Sequence, residues 1–287
     1  MTRIGVIGLG LALVVGGCSA VIADPNAGSI DDITVSGDED GVPVLEFTGG
    51  LEYSRVQSEV LWAGEGDPLD AGDRILLDMY SVSLDSGVVL VNTYSDFPNM
   101  YLLAPELVGQ ELYDVLLDER VGARVLHVTP PVEGYEGHGA VALLVDVLPA
   151  KAEGEAQPRK EGMPVVTLDE FGKPDVAIDE DTEAPDGLEA ATLILGSGEQ
   201  VKPGSSIVAN YYAVDYDTGE VFDSSWDVED GPLKAQVGVG ELPLGLDQGL
   251  IDRTEGSQIL LIVPPELAYG DGTLVFVVDL LVVRTLN

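Results

Sequence analysis

Asp223 is the residue of this chain whose setting most needs a chemical explanation. It stands in Val221–Ser225 (VFDSS), directly after Phe222, in a stretch with the composition of a β-strand. A carboxylate within an aromatic strand is costly to desolvate and needs a partner. Other polar groupings offer less. Asp215, Asp217 and Glu220 are spaced like the start of a calcium loop, but the remaining ligands and the terminal glutamate are missing. The same Asp-Thr-Gly stretch reads more simply as a hairpin turn. His127 and His138 are isolated from any cysteine or carboxylate at metal-ligand spacing, so no metal site is expected. Gly5–Gly10 (GVIGLG) has the wrong glycine order for a dinucleotide-binding turn, and neither a preceding strand nor a βαβ unit accompanies it.

The elements around Asp223 occur twice. Gly41–Leu45 (GVPVL) answers Gly162–Val166 (GMPVV), and Gly72–Tyr80 (GDRILLDMY) answers Gly204–Tyr212 (GSSIVANYY). Asp85–Gly87 (DSG) answers Asp217–Gly219 (DTG), each ending seven residues after its tyrosine. Gly122–Pro131 (GARVLHVTPP) answers Gly256–Pro265 (GSQILLIVPP), and Val141–Leu148 (VALLVDVL) answers Leu274–Leu281 (LVFVVDLL). Matches in the same order at similar spacing indicate duplication of one fold unit rather than a short-period solenoid. Ile75–Leu84 and Ile207–Tyr216 are rich in β-branched and aromatic residues and run into turns, as hairpin strands do. The Pro-Pro pairs at 130–131 and 264–265 stop a strand because they cannot continue its ladder. One short helix is expected in each unit, over Gln110–Leu117 and Leu244–Ile251. The expected class is α+β: two units, each a curved antiparallel sheet wrapped on one short helix.

The second unit resembles the FKBP-type peptidyl-prolyl cis-trans isomerase family. The resemblance is carried by Asp217–Trp226 (DTGEVFDSSW), Gly240–Gly249 (GELPLGLDQG), Pro264–Gly270 (PPELAYG) and Thr273–Leu280 (TLVFVVDL). It is clear over about residues 190–287 and weak over 44–149. It implies two FKBP-like domains, at 42–150 and 164–287, joined by a linker at 151–163. It also implies a catalytic set of Asp223, Tyr269 and Phe276, with Tyr212, Phe222, Leu233, Leu242, Pro243 and Leu246 binding the substrate. In that reading Asp223 is buried, held by a tyrosine hydroxyl, and Tyr269 donates to a substrate carbonyl. The family's chemistry calls for no cofactor. An X–Pro amide must rotate over a barrier of about 18–20 kcal/mol set by its partial double bond, and an apolar aromatic pocket disfavours the planar polar amide relative to the twisted one.

The second unit departs from the family in two places. Leu246 stands where a tryptophan floor is usual, and only Gly270–Gly272 separates Tyr269 from the last strand, where a longer covering loop is usual. The first unit departs further: Leu90, Val91 and Leu143 stand at the positions of Phe222, Asp223 and Phe276, although Tyr80, Leu112 and Tyr135 remain. It is therefore expected to be inactive.

Composition bounds the rest. Asp and Glu number 51 against 13 Lys and Arg, a formal charge of −38. Such a field repels phosphate backbones and argues against nucleic acid as a partner. Arg3, the apolar run Ile4–Val15 and the small residues before Cys18 look like a bacterial, actinobacterial-like lipoprotein signal at 1–17. Lipidation at Cys18, a flexible tether over 18–41 and an extracytoplasmic, membrane-anchored monomer are expected, acting on proline-containing exported polypeptides. A non-catalytic chaperone or peptide-binding lipoprotein on the same scaffold remains the alternative, as does a surface interaction protein using the fold only as scaffold.

Overall fold

The computed structural model describes residues 26–37, 41–131, 139–179, 181–226 and 231–285. The signal segment, Cys18, Tyr135 and His138 lie outside the described residues. Two antiparallel sheets dominate, one from each half of the chain. The N-terminal half runs β1 (Ile33–Ser36), β2 (Val44–Phe47), β3 (Gln57–Trp62), β4 (Arg74–Ser83), β5 (Val89–Asn92), β6 (Asn99–Leu102), α1 (Pro105–Val108), α2 (Gln110–Leu116), β7 (Arg124–Thr129) and β8 (Val141–Leu148). The C-terminal half runs β9 (Glu155–Ala156), β10 (Val165–Leu168), β11 (Pro174–Ala177), β12 (Glu189–Leu195), β13 (Ser206–Asp215), β14 (Val221–Ser224), β15 (Leu233–Gln236), α3 (Leu244–Leu250), β16 (Gln258–Val263) and β17 (Leu274–Arg284).

The strand orders coincide. One sheet is β3-β7-β8-β4-β5 with β6 also on β4; the other is β12-β16-β17-β13-β14 with β15 also on β13 and β9 added beyond β12. Registers coincide as well, with Ser81 opposite Leu143 in one and Ala213 opposite Phe276 in the other. Both hairpin turns place their glycine in the left-handed region, Gly87 at φ 71° and Gly219 at φ 69°. That conformation is cheap only without a Cβ, which is why Asp-Ser-Gly and Asp-Thr-Gly stand there. The Asp215 carboxylate accepts from Asp217 N, Thr218 N and Thr218 Oγ1, so this acidic turn is satisfied by its own chain. These bonds, that of the Thr218 amide foremost, hold the Asp215 carboxyl below the usual carboxylate range.

Each sheet is covered on both faces. Leu112 and Leu116 of α2 pack against Ile75, Leu77, Val125 and Val145, and Leu246 and Leu250 of α3 pack against Ile207, Ile259, Leu261 and Phe276. The glycines of α3 allow it to lie close: a Cβ on Gly245 would stand 2.3 Å from Val263 Cγ1. On the opposite faces lie two hairpins, β1–β2 over Val82, Leu126 and Leu144, and β10–β11 over Val214, Leu260 and Val275. Double coverage explains why β17 reads as a nearly continuous apolar run rather than an alternating one.

Two expectations need correction. Residues 26–37 are not a tether: Ile33 is buried among Tyr53, Val82 and Leu84, and β1 pairs along its length with β2. The Asp- and Ser-rich composition there hid a short strand with apolar residues at Ile33 and Val35. The stretch at 151–163 is not a free linker either. Ala156 pairs with Ile194, and Glu153 N donates to Gly256 O at 2.9 Å. Helix α1 was also not foreseen; its four residues are too few to leave a periodic signal.

The halves meet through Leu76, Leu148 and Met100 on one side and Val208, Leu281 and Val282 on the other. Polar bonds cross the same seam. Arg284 pairs with buried Asp78 and donates to Thr93 O at 2.7 Å, while Asn210 Nδ2 donates to Ala150 O at 2.9 Å. Asp279, opposite Asn210, accepts from Ala152 N at 3.1 Å and Gln258 Nε2 at 2.8 Å. Burial pushes the Asp279 carboxyl up from its ordinary 3.8 to about 6, against these two hydrogen bonds. Between those values the folded chain holds a proton that the unfolded chain has released, so this group's contribution is fully present below pH 3.8 and is lost as pH rises through about 6. The loss is about 3 kcal/mol. Asp279→Asn is expected to remove that slope, gaining on the wild type as pH rises from about 4 to 8 in urea unfolding.

Candidate active site

The C-terminal half assembles an open aromatic shelf on the helix-bearing face of its sheet. β14 turns back along β13 with Ala213 opposite Asp223 and a register shift directly after it. That shift decides which tyrosine meets the carboxylate. Tyr211 donates its hydroxyl to Asp223 Oδ2 at 2.6 Å, and its ring packs on the cluster holding Leu246 and Phe276. Tyr212, the tyrosine expected from the sequence, faces the other way: it is buried with Met163, Val214 and Leu260 under the β10–β11 hairpin. The correction has a simple cause. Neighbouring strand residues point to opposite faces, and counting back from the Gly219 turn without allowing for the bulge selects the wrong one.

Asp223 itself is exposed, not buried, and its Oδ1 accepts from Ser224 N at 2.8 Å. Its charge is felt by both neighbouring phenols. Burial first, then the hydrogen bond to Asp223 and its charge, push Tyr211 well above the usual tyrosine range. Tyr269 is also raised, by burial and then by Asp223. Both tyrosines thus stay protonated and able to donate at any physiological pH.

Phe222 and Tyr269 stack with centroids 5.5 Å apart at 26°, and more than half of each is exposed. The cluster on which Tyr211 packs holds Phe276 on β17 and Leu246 on α3, both buried, with Leu242 and Leu267 also packed against it. Pro243 precedes α3 and its carbonyl accepts from Leu246 N and Asp247 N. Leu233, opposite Ala209 on β15, is half-buried and stands outside that cluster. One residue that sequence reasoning missed organises the approach to the helix. Asp247 is buried, and its two oxygens accept from Gly238 N at 2.8 Å and Gly240 N at 3.0 Å, fixing the loop that carries Leu242. A buried acid in the middle of an apolar helix was the available signal.

The equivalent positions of the N-terminal half keep the backbone and lose the chemistry. By register, Met79 stands for Tyr211, Val91 for Asp223 and Leu143 for Phe276. The hydroxyl and the carboxylate it serves are therefore absent together. Among the described residues no group of His, Cys, Asp and Glu could hold a metal ion.

The site is thus an exposed aromatic shelf with two phenol donors beside a carboxylate, on the helix-bearing face of the C-terminal sheet. The family model described as FKBP-type peptidyl-prolyl cis-trans isomerase matches residues 197–281, the segment that builds this site. A probable FK506-binding protein of Corynebacterium glutamicum is 36% identical over 107 residues, which cover 34% of this chain and 88% of that one. An FK506-binding protein of Streptomyces anulatus is 36% identical over 112 residues, covering 35% and 90%. The crystal structure of AtFKBP13 is similar at 31% identity, covering 34% of this chain and 93% of that one, with a TM-score of 0.31. The chain belongs to the FKBP-type peptidyl-prolyl isomerase family, whose enzyme class is peptidyl-prolyl cis-trans isomerase.

Proposed function

We propose that the chain is two FKBP-like domains, 42–150 and 164–287, and that isomerase activity resides in the second. The carrying observation is the Tyr211–Asp223 hydrogen bond beside the Phe222–Tyr269 stack, with Met79, Val91 and Leu90 at the equivalent places of the first domain. A proline ring would lie on Phe276 and Leu246, which offer no hydrogen bond to the planar amide. Tyr269 and the backbone at Leu242 would hold the flanking peptide, and Asp223 would face the carbonyl as it rotates out of conjugation. A field fixed in advance at the position where charge redistributes lowers the barrier without reorganisation at the moment of rotation. Asp223, pinned by Tyr211, supplies such a field. The same reading places the protein outside the cytoplasmic membrane, anchored through a lipid on Cys18, where it assists folding of proline-containing exported polypeptides as a monomer.

The test compares the two domains by equivalent substitutions on their short edge strands β14 and β5. Phe222→Ser removes half of the aromatic stack and is expected to lower kcat/KM for a Leu-Pro peptide about tenfold or more, whereas Leu90→Ser leaves it unchanged. Equal losses from both would remove the assignment to the second domain. Unchanged activity in both would do the same.

A further inference from the structure

A cleft of about 520 Å³ opens at the seam between the halves, away from the aromatic shelf. Its walls come from the segment before β4, from Lys151 and Glu153, and from the β10–β11 turn with Trp226. We propose that this cleft binds an extended polypeptide segment bearing lysine or arginine next to an apolar side chain, independently of proline and of the isomerase site.

Three observations point there. The cleft is pre-formed, because the bonds of Arg284 and Asn210 hold the halves together, and sites of roughly 300–1,000 Å³ at such seams are the usual place for ligands. Its charge is unbalanced. Six carboxylates line it against three cations, and the cations are engaged: Lys151 Nζ bonds Asp67 at 2.8 Å, Arg74 lies over the Trp226 ring and donates to Trp226 O, and Lys173 Nζ is 5.8 Å from the Tyr212 ring. Burial and then the charge of Asp67 raise the Glu153 carboxyl, as a surplus of negative potential would.

The third observation is apolar. Phe171 stands at the tip of the β10–β11 hairpin with 62% of its surface exposed at the cleft. Its turn is set by Asp169, whose Oδ1 accepts from Phe171 N and Lys173 N at 2.9 Å. An anion is excluded by the charge. A divalent cation is disfavoured because these carboxylates do not converge as ligands among the described residues. A lysine or arginine, with a long apolar stem and a cationic head, matches carboxylates interleaved with an open aromatic ring. A free polyamine would satisfy the charge and leave Phe171 uncovered.

The probe is a fluorescein-labelled, proline-free peptide alternating lysine and leucine, titrated by fluorescence anisotropy against the full chain in mild detergent. Binding is expected to weaken in high salt and to fall about fivefold or more in Phe171→Ser and in Glu170→Gln. The isomerase rate of both variants should be unchanged, and Asp223→Ala should bind the peptide as the wild type does. These last two results separate this site from the isomerase reading, so either can fail alone. The proposal is overturned if the folded chain does not bind the peptide, if a glutamate-for-lysine peptide binds equally, or if neither variant changes the affinity. Displacement by spermidine as effective as by unlabelled peptide would also overturn it, in favour of a small polyamine.

Discussion

Replacing Arg284 by methionine is expected to lower the free energy of unfolding by about 3–5 kcal/mol. Arg284 is the fourth residue from the end of the sequence, yet it reaches across the seam to Asp78, whose side chain is 3% exposed. Thr93 Oγ1 also donates to Asp78, but a hydroxyl cannot neutralise a charge. Burial raises the Asp78 carboxyl despite Arg284, and nearby Asp146 adds to it, so the substitution strands an ion in an unfavourable place. Methionine keeps much of the apolar stem, so the loss reports the charge and its bonds to Thr93 O and Asp96 O rather than a cavity. Urea unfolding with one transition in the wild type is expected to become two in Arg284→Met as the halves uncouple. Adding Asp78→Leu should recover much of the loss, because an apolar pair replaces a buried pair at little cost. A variant as stable as the wild type would show that the seam is held by Leu76, Val208 and Leu281 alone.

Phe276→Ala is expected to cost about 3–5 kcal/mol and to abolish isomerase activity. The ring is buried on the central strand of the C-terminal sheet, between Leu261 on β16 and Ala213 on β13, and no neighbour can fill the space. Stability and activity need separate readings here, and the N-terminal half supplies the variant. Leu143 holds the same register position, so Phe276→Leu is tolerated by this backbone and should cost less than about 1.5 kcal/mol. Its isomerase rate should nevertheless fall severalfold, since the aromatic surface offered to the proline ring is thinned. Full activity in Phe276→Leu would assign the ring to the core and not to the site.

Much of this arrangement was legible in the sequence because it was written twice. The duplicated strand–turn–strand and strand–Pro-Pro patterns located both sheets, and the two longer helices begin and end within a residue of expectation. Phe222 stacks on Tyr269, whose hydroxyl feels the charge of Asp223, and Leu246 and Phe276 share one buried cluster. What escaped was decided by geometry that composition does not carry. A single bulge transferred the hydroxyl from Tyr212 to Tyr211. Asp223 was expected to be buried on the family reading, but β14 is an edge strand and leaves it exposed. The two hairpins that cover the sheets escaped because each of their strands has only four residues, and their stability comes from the sheet beneath them. Contacts across the seam, from Arg284 above all, pair residues about two hundred positions apart and leave no periodic trace.

The most direct test of the central claim is the cis-to-trans rate of an Ala-Leu-Pro-Phe peptide, measured with the full chain and with Asp223→Ala. Because Asp223 is exposed and bonded only at the surface, its removal should leave the fold intact, which circular dichroism can verify. The account predicts that the wild type accelerates the isomerisation and that Asp223→Ala reduces kcat/KM by about tenfold or more. No acceleration by the folded wild type, or equal acceleration by both proteins, would contradict it.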